Sequence, residues 1–133
     1  MSNALYPKAK ELALGGGLNL ASANVKAVLI DTSLYTYSPA HQFLSDVPAG
    51  SRVGTPATLS SKTLTGGAFS AAAINVTGLT SAPSVEAVVI YVDTGVEAGS
   101  YLVAYLDQAS SGLPTTPGAP SIAVSWAAPI FSL

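Results

Sequence analysis

The sequence predicts an all-β fold, an antiparallel sandwich or flattened barrel of about seven or eight strands with one short N-terminal helix. Three observations carry this. Short runs rich in Val, Ile, Thr and Tyr recur along the 133 residues, and clusters of Gly, Pro, Ser and Thr separate them. Two of those runs, 85–92 and 101–106, are apolar on both faces, the pattern of strands covered on both sides. Helical spacing is clear in only one stretch, immediately after Pro7.

Pro7 suits the first position of a helix, where its missing N–H would be unsatisfied in any case. Lys8-Ala9-Lys10-Glu11-Leu12-Ala13-Leu14 follows, with Leu5, Ala9 and Leu12 at helical spacing, until Gly15-Gly16-Gly17 stops it. Two turns of helix do not hold in isolation, so the segment must dock on its own sheet or on a neighbour. Residues 25–30 read as a strand closed by Asp31-Thr32. Tyr35 and Tyr37 alternate in a short extended piece, and Ser38-Pro39 caps a helical turn through about Leu44, ended by Asp46 and Pro48.

Residues 58–64 and 68–76 flank Thr65-Gly66-Gly67, a hairpin turn. Residues 85–92 run into Asp93-Thr94-Gly95, and 101–106 return. Asp-Thr thus closes two strands, and a carboxylate accepting turn amides explains the repetition. A Pro, Gly and Thr connector spans 112–121; Ile122, Val124 and Trp126 then alternate with small residues, and Ile130-Phe131-Ser132-Leu133 ends the chain. The predicted core is Val88, Ile90, Val92, Leu102, Ala104 and Leu106. By length 1–133 reads as one β-rich domain, with the helix and its glycine stop in 1–17 and the sandwich in 18–133.

Charge is scarce. Five Lys and Arg and seven Asp and Glu make up 9% of the chain, against about a quarter in an ordinary globular domain. A folded monomer of 13.3 kDa exposes roughly 6,000 to 7,000 Å², more than so few charges cover in the usual way. The expectation is a subunit packed inside an assembly, not a free enzyme. A net charge of -2 with five scattered basic residues leaves no electrostatic footprint for nucleic acid.

Mean hydropathy is +0.46, and 63–85 and 108–133 carry no charge, but Pro83, Pro114, Pro117, Pro120 and Pro129 break either as a spanning helix, so no membrane partner is expected. The absence of Cys removes disulfides and thiolate chemistry. The opening residues lack a basic region followed by an apolar segment, so synthesis in a cytoplasm without export is expected.

His41 is the sole histidine. A hydrolytic triad would set it beside Ser45 and Asp46, but no nucleophile-elbow sequence is present and a capping or surface histidine is the better reading. Asp31, Asp93, Glu97 and Asp107 are dispersed and lack calcium-loop spacing, which favours strand-end capping over a cation site or an acid/base pair. Gly15-Gly16-Gly17 follows a helix, whereas a phosphate loop precedes one. No catalytic residue, cofactor or metal is expected. Tyr35, Tyr37 and Phe43 around His41 form the densest aromatic stretch with polar handles, a composition that fits either a protein interface or a core. Leu5, Tyr6, Leu12 and Phe131 lie near chain ends, which fray unless tied down, and are expected to be anchored by the subunit's sheet or by a neighbour.

An ordered series of short features runs through nearly the whole chain: Ala4-Leu5-Tyr6-Pro7-Lys8-Ala9-Lys10, then Val25-Lys26-Ala27-Val28-Leu29-Ile30-Asp31-Thr32 leading to Tyr35-Thr36-Tyr37, and His41-Gln42-Phe43-Leu44-Ser45-Asp46. It continues with Arg52-Val53, Lys62-Thr63, Tyr91-Val92-Asp93-Thr94-Gly95, Gly112-Leu113-Pro114-Thr115-Thr116-Pro117, Trp126 and Ile130-Phe131. This series resembles a family of small virion structural proteins of tailed bacteriophages. Members of that family look more polar, with an acidic, aromatic-containing stretch where this chain has 15–24.

The resemblance implies a non-enzymatic component of the particle, preferably a decoration (cement) protein on the outer capsid surface, made in the host bacterial cytoplasm. Its implied partners are the major capsid protein and further copies of itself, as a homotrimer. Leu5, Tyr6, Leu12, Tyr35, Tyr37, His41, Phe43 and Phe131 are the candidate interface residues. A tail or head-fibre component is the alternative within the particle. A host-surface or carbohydrate-binding β-sandwich, using 35–43 as its face, is the alternative outside that class, and a small hydrolase is the remainder.

Overall fold

The computed structural model describes residues 4–15, 24–32, 34–63, 66, 68–72, 74–76, 87–106, 122–124 and 131–132. In chain order the strands are β1 (Ala4–Leu5), β2 (Val25–Ile30), β3 (Arg52–Thr58), β4 (Ala68–Phe69), β5 (Ile74–Val76), β6 (Ala87–Val92), β7 (Tyr101–Leu106), β8 (Ile122–Val124) and β9 (Phe131–Ser132), with one α-helix, α1 (Pro7–Leu14), between the first two. Five strands form one antiparallel sheet in the order β1-β7-β6-β2-β3. The remaining strands pair as β4 with β9 and β5 with β8. The chain is thus mainly β, with a single short N-terminal helix. Among the described residues there are nine strands, against the expected seven or eight, because β1, β4 and β9 are two-residue pieces, too short to leave a periodic signal.

The centre of the sheet explains the continuous apolar runs. Every residue of β6 is buried, and in β2 only Lys26 is not. Alternate side chains enter two separate clusters. Ala27, Leu29, Val88 and Ile90 pack on one face against Leu59, Phe69, Ile74 and Val76. Val28, Ile30, Val89 and Tyr91 pack on the other against Tyr6, Ala9, Tyr35, Leu44 and Val47. All six predicted core residues of β6 and β7 are buried.

Two irregularities shape the sheet. Leu29 opposes Val53 while Ala27 opposes Ala57, so Gly54, Thr55 and Pro56 bulge opposite Val28. Gly54 has φ 76°, which a side chain would resist, and a proline is tolerated in a bulge because no ladder N–H is required there. Between β6 and β7, Ile90 opposes Ala104 and Tyr91 opposes Leu102, which leaves Val103 as the extra residue.

The outer edge of β7 is closed by two segments distant in sequence. Ala4 and Leu5 pair with Tyr105 and Ala104, and the Tyr6 amide donates to the Val103 carbonyl at 3.0 Å. Further along, the Leu102 amide donates to Gln42 at 2.9 Å and the Leu44 amide to Ser100 at 2.8 Å. An uncovered edge is a template for unwanted strand pairing, and this arrangement removes it.

Helix α1 begins at Pro7 and ends at Leu14, where the Gly15 amide donates to the Glu11 carbonyl at 3.0 Å. It turns Ala9 into the core and leaves Leu14 almost fully exposed. Elsewhere the structure departs from the expected elements. The strand expected over 58–64 lies earlier, at β3, because the bulge absorbs Gly54 and Pro56, which read as breakers. The segment around Tyr35 and Tyr37 makes no strand, and the helical turn expected from Ser38 appears as short 3₁₀ turns at Leu44–Asp46 and Ala49–Ser51.

Thr63 and Ser70 exchange amide–carbonyl bonds at 2.9 and 3.0 Å, and Gly66 between them has φ 66°. Gly16, Gly17, Leu64, Thr65, Gly67, Val85, Glu86, Asp107, the 112–121 connector, Trp126, Ile130 and Leu133 lie outside the described residues, as do the side chains of Glu97, Ile122, Val124 and Phe131.

Truncating Ile90 or Leu102, both fully buried, to Ala should destabilise the protein by about 2–5 kcal/mol, read as a lower urea midpoint. A loss below about 0.5 kcal/mol, the range of surface substitutions, would contradict their interior position.

Candidate functional site

A cluster of aromatic side chains joins the N-terminal segment, the 35–43 loop and β7. Tyr6 follows β1 directly, and because its amide is bound to Val103 its ring is directed under α1, where none of it is exposed. The Leu34 amide donates to the Asp31 carbonyl at 3.0 Å, a turn that brings Tyr35 back over the sheet. A second turn, with the Ala40 amide on Ser38 Oγ at 3.3 Å and the His41 amide on the Ser38 carbonyl at 3.1 Å, swings His41 towards Tyr35.

The result is a hydrogen-bonded chain: Tyr6 Oη to Tyr35 Oη at 2.7 Å, and Tyr35 Oη to His41 Nδ1 at 2.8 Å. Ring contacts surround it, Tyr6 with Tyr37 at 5.0 Å, Tyr37 with Tyr105 at 5.5 Å and Tyr35 with His41 at 5.4 Å between centroids. Tyr37 donates to the Leu5 carbonyl at 3.3 Å, a second tie to β1. Phe43 packs on Tyr101, 5.8 Å between centroids.

Burial sets the electrostatics. It holds the Tyr6 hydroxyl far above the ordinary tyrosine range, and the hydrogen bond donated to Tyr35 adds to this. Burial also pushes Tyr35 up to about 12, opposed by the bond it receives from Tyr6. Asp46 is the adjacent anion. Its Oδ2 accepts the Gln42 and Phe43 amides at 2.9 and 3.0 Å, which lowers its carboxyl below the usual range, with a smaller contribution from His41. His41 Nδ1 and Asp46 Oδ2, the groups a hydrolytic triad would join with Ser45, are therefore each bonded elsewhere.

The remaining acidic candidates act locally. Asp93 accepts the Gly95 amide at 2.9 Å and sits 3.1 Å from Lys26 Nζ, and the amide first, then Lys26, lowers its carboxyl. This is the strand-end cap expected from Asp-Thr-Gly. Asp31, immediately after the end of β2, is buried, its amide on the Ser51 carbonyl at 2.9 Å. Among the described residues no three His, Asp or Glu side chains converge as metal ligands, and no helix is long and apolar enough to cross a membrane.

The candidate interface residues fall into two sets. Tyr6 and Tyr35 are interior to the subunit, at 0% and 4% exposure, and so cannot meet a partner from the closed fold; their polar handles are satisfied within the chain. Leu5, Leu12, Tyr37, His41 and Phe43 are half-buried. Leu12 lines a groove of about 290 Å³ with Lys8, Glu11, Gly15 and Gln42. The backbone of Phe131 pairs with Phe69. Tyr101 and Tyr105 belong to the cluster but were hidden within an apolar strand run. Among the described residues the exposed large apolar side chains are Leu14, Leu34 and Val96, at 91%, 57% and 62%. Compared with known proteins, the chain matches no family model, no curated protein and no solved structure.

An alkaline titration tests the cluster. Tyr6 and Tyr35 hold their protons in the folded state at pH values where unfolded tyrosines, near about 10, release them. Their stabilisation is complete below about pH 10 and is lost as pH rises towards about 12. The thermal midpoint should fall across that window, with the phenolate absorbance of Tyr6 and Tyr35 appearing only on unfolding. Changing both to Phe should remove that lag; all six tyrosines titrating together in the folded wild type would contradict the burial.

Proposed function

We propose that this chain is a non-enzymatic virion structural protein of a tailed bacteriophage, a decoration (cement) protein that assembles as a homotrimer on the outer capsid surface and stabilises the lattice of the major capsid protein. The fold in this reading is a β-sandwich, with the five-stranded sheet as one layer and the β4–β9 and β5–β8 ladders in the other.

The observation that carries the reading is the charge deficit. Five basic and seven acidic residues serve the whole chain, and Lys8 with Glu11 at 3.4 Å and Lys26 with Asp93 at 3.1 Å are already paired within it. Attachment must then rest on apolar area and backbone hydrogen bonds repeated by symmetry. Leu14, Leu34 and Val96 are the exposed groups suited to it, and Leu12, Tyr37 and Phe43 extend that set. The resemblance of the ordered sequence features to those of small virion proteins of tailed bacteriophages points the same way.

Exposed ion pairs fade when salt shortens the Debye length to about 3 Å at about 1 M, whereas apolar contacts do not. Occupancy on purified particles should therefore persist through about 1 M sodium chloride, with a copy number on the order of hundreds, as a capsid lattice requires. Release by salt alone would overturn the apolar attachment. A copy number of about a few to a few dozen would assign the chain to the tail or head fibres, and absence from particles would leave the cell-surface-binding module.

A further inference from the structure

We propose that Tyr6, Tyr35 and His41 form a proton-operated latch: protonation of His41 breaks the chain of hydrogen bonds and releases the N-terminal segment, β1 with α1, from the edge of β7. This inference is independent of the particle assignment.

The argument is a count of hydrogens. The chain has two links, Tyr6 Oη to Tyr35 Oη and Tyr35 Oη to His41 Nδ1. With a neutral imidazole carrying its hydrogen on Nε2, Tyr6 donates to Tyr35 and Tyr35 donates to Nδ1, so each hydroxyl hydrogen occupies one link. The opposite tautomer would crowd a third hydrogen into the same two links. Protonation does the same unavoidably, because both ring nitrogens of an imidazolium are donors. If Nδ1–H donates to Tyr35 and Tyr35 turns to Tyr6, the Tyr6 hydrogen is left over. If Tyr6 keeps donating, the Tyr35 hydrogen is left over instead.

Either orphan is buried, Tyr6 completely and Tyr35 almost so, and a buried hydroxyl without an acceptor bears its full desolvation penalty. The partner of the Tyr6 hydroxyl is Tyr35 Oη. Tyr37, the nearest ring, directs its own hydroxyl to the Leu5 carbonyl.

The charged and titratable groups around His41 set the balance. On its own loop Asp46 attracts the imidazolium, but that carboxylate is exposed and already bound to two amides, so its pull is screened by water. On α1, Lys8 and Glu11 beside Gln42 are paired with each other. On β7, Tyr105 faces Tyr35 and Tyr37 and is neutral at these pH values. The imidazole is half-exposed and open to solvent, and the hydrogen count makes its protonated form incompatible with the closed chain. Opening relieves the conflict by parting Tyr35 from Tyr6; β1 is two residues long and is otherwise held by its pairing with β7, the Tyr6 amide on Val103 and the Tyr37 hydroxyl on Leu5.

Native-state hydrogen exchange of the full chain, corrected for the intrinsic pH dependence of exchange, reads the latch. Between about pH 7.5 and about pH 5, where an imidazole gains its proton, protection of the Tyr6 and Lys10 amides should fall by about tenfold, while amides in the β2–β6 ladder keep theirs. His41→Gln supplies an acceptor that does not protonate, and should abolish the fall while retaining protection at both pH values. Tyr35→Phe should lower protection already at neutral pH and remove its pH dependence. Unchanged wild-type protection over this range, or an equal fall in His41→Gln, overturns the proposal, and the His41→Gln result decides it even if Tyr35→Phe does not fold.

Discussion

Everything in this structure follows from a sheet whose two middle strands are apolar on both faces. A strand such as β6, buried along its whole length, is stable only if something covers each side of it. The chain provides two different covers. On one face Leu59, Phe69, Ile74 and Val76 come from the region between β3 and β6. On the other the cover is assembled from Tyr6 and Ala9 at the beginning of the chain and from Tyr35, Leu44 and Val47 in the loop after β2. Neither cover is a long regular element. Each is held in place by the sheet it covers.

The second cover explains why tyrosine is used where leucine would fill the space. Tyr6 and Tyr35 present large apolar rings to β6 and β7, and their hydroxyls meet above the sheet, with that of Tyr35 also bonded to His41 Nδ1. The hydrogen bonds also fix the relative placement of two segments that have few apolar contacts of their own. A leucine pair would bury comparable area without specifying that register. His41 terminates the chain of hydroxyls at a half-buried position, so interior packing is linked to a group that communicates with solvent.

The parts of the fold written in local pattern were legible. Pro7 and Gly15 bracket α1, Val25–Ile30 reads directly as a strand, and the doubly apolar runs identify β6 and β7. The tyrosine stretch at 35–43 was recognisable as important, though not which of its rings face inward. That depends on Tyr6 and Tyr105, whose approach is a product of the pairing of β1 with β7, two strands distant in sequence. β3 was misplaced because Gly54 and Pro56 are breakers in isolation and are accommodated only once a neighbouring strand allows a bulge. β1 was invisible for a similar reason, since two residues have no period, and Ala4 and Leu5 become a strand only because Tyr105 and Ala104 lie opposite.

That last pairing has a consequence for synthesis. Ala4 and Leu5 leave the ribosome long before their partners Tyr105 and Ala104 on β7 are made. Tyr6 likewise waits for Tyr35 and then for Val103. Residues 4–14 therefore stay unpaired until β7 has emerged, with an apolar face on a helix too short to persist alone, and a contact of such sequence separation closes late. A nascent chain truncated before β7 has no edge for its own beginning to occupy and would expose apolar surface to other chains.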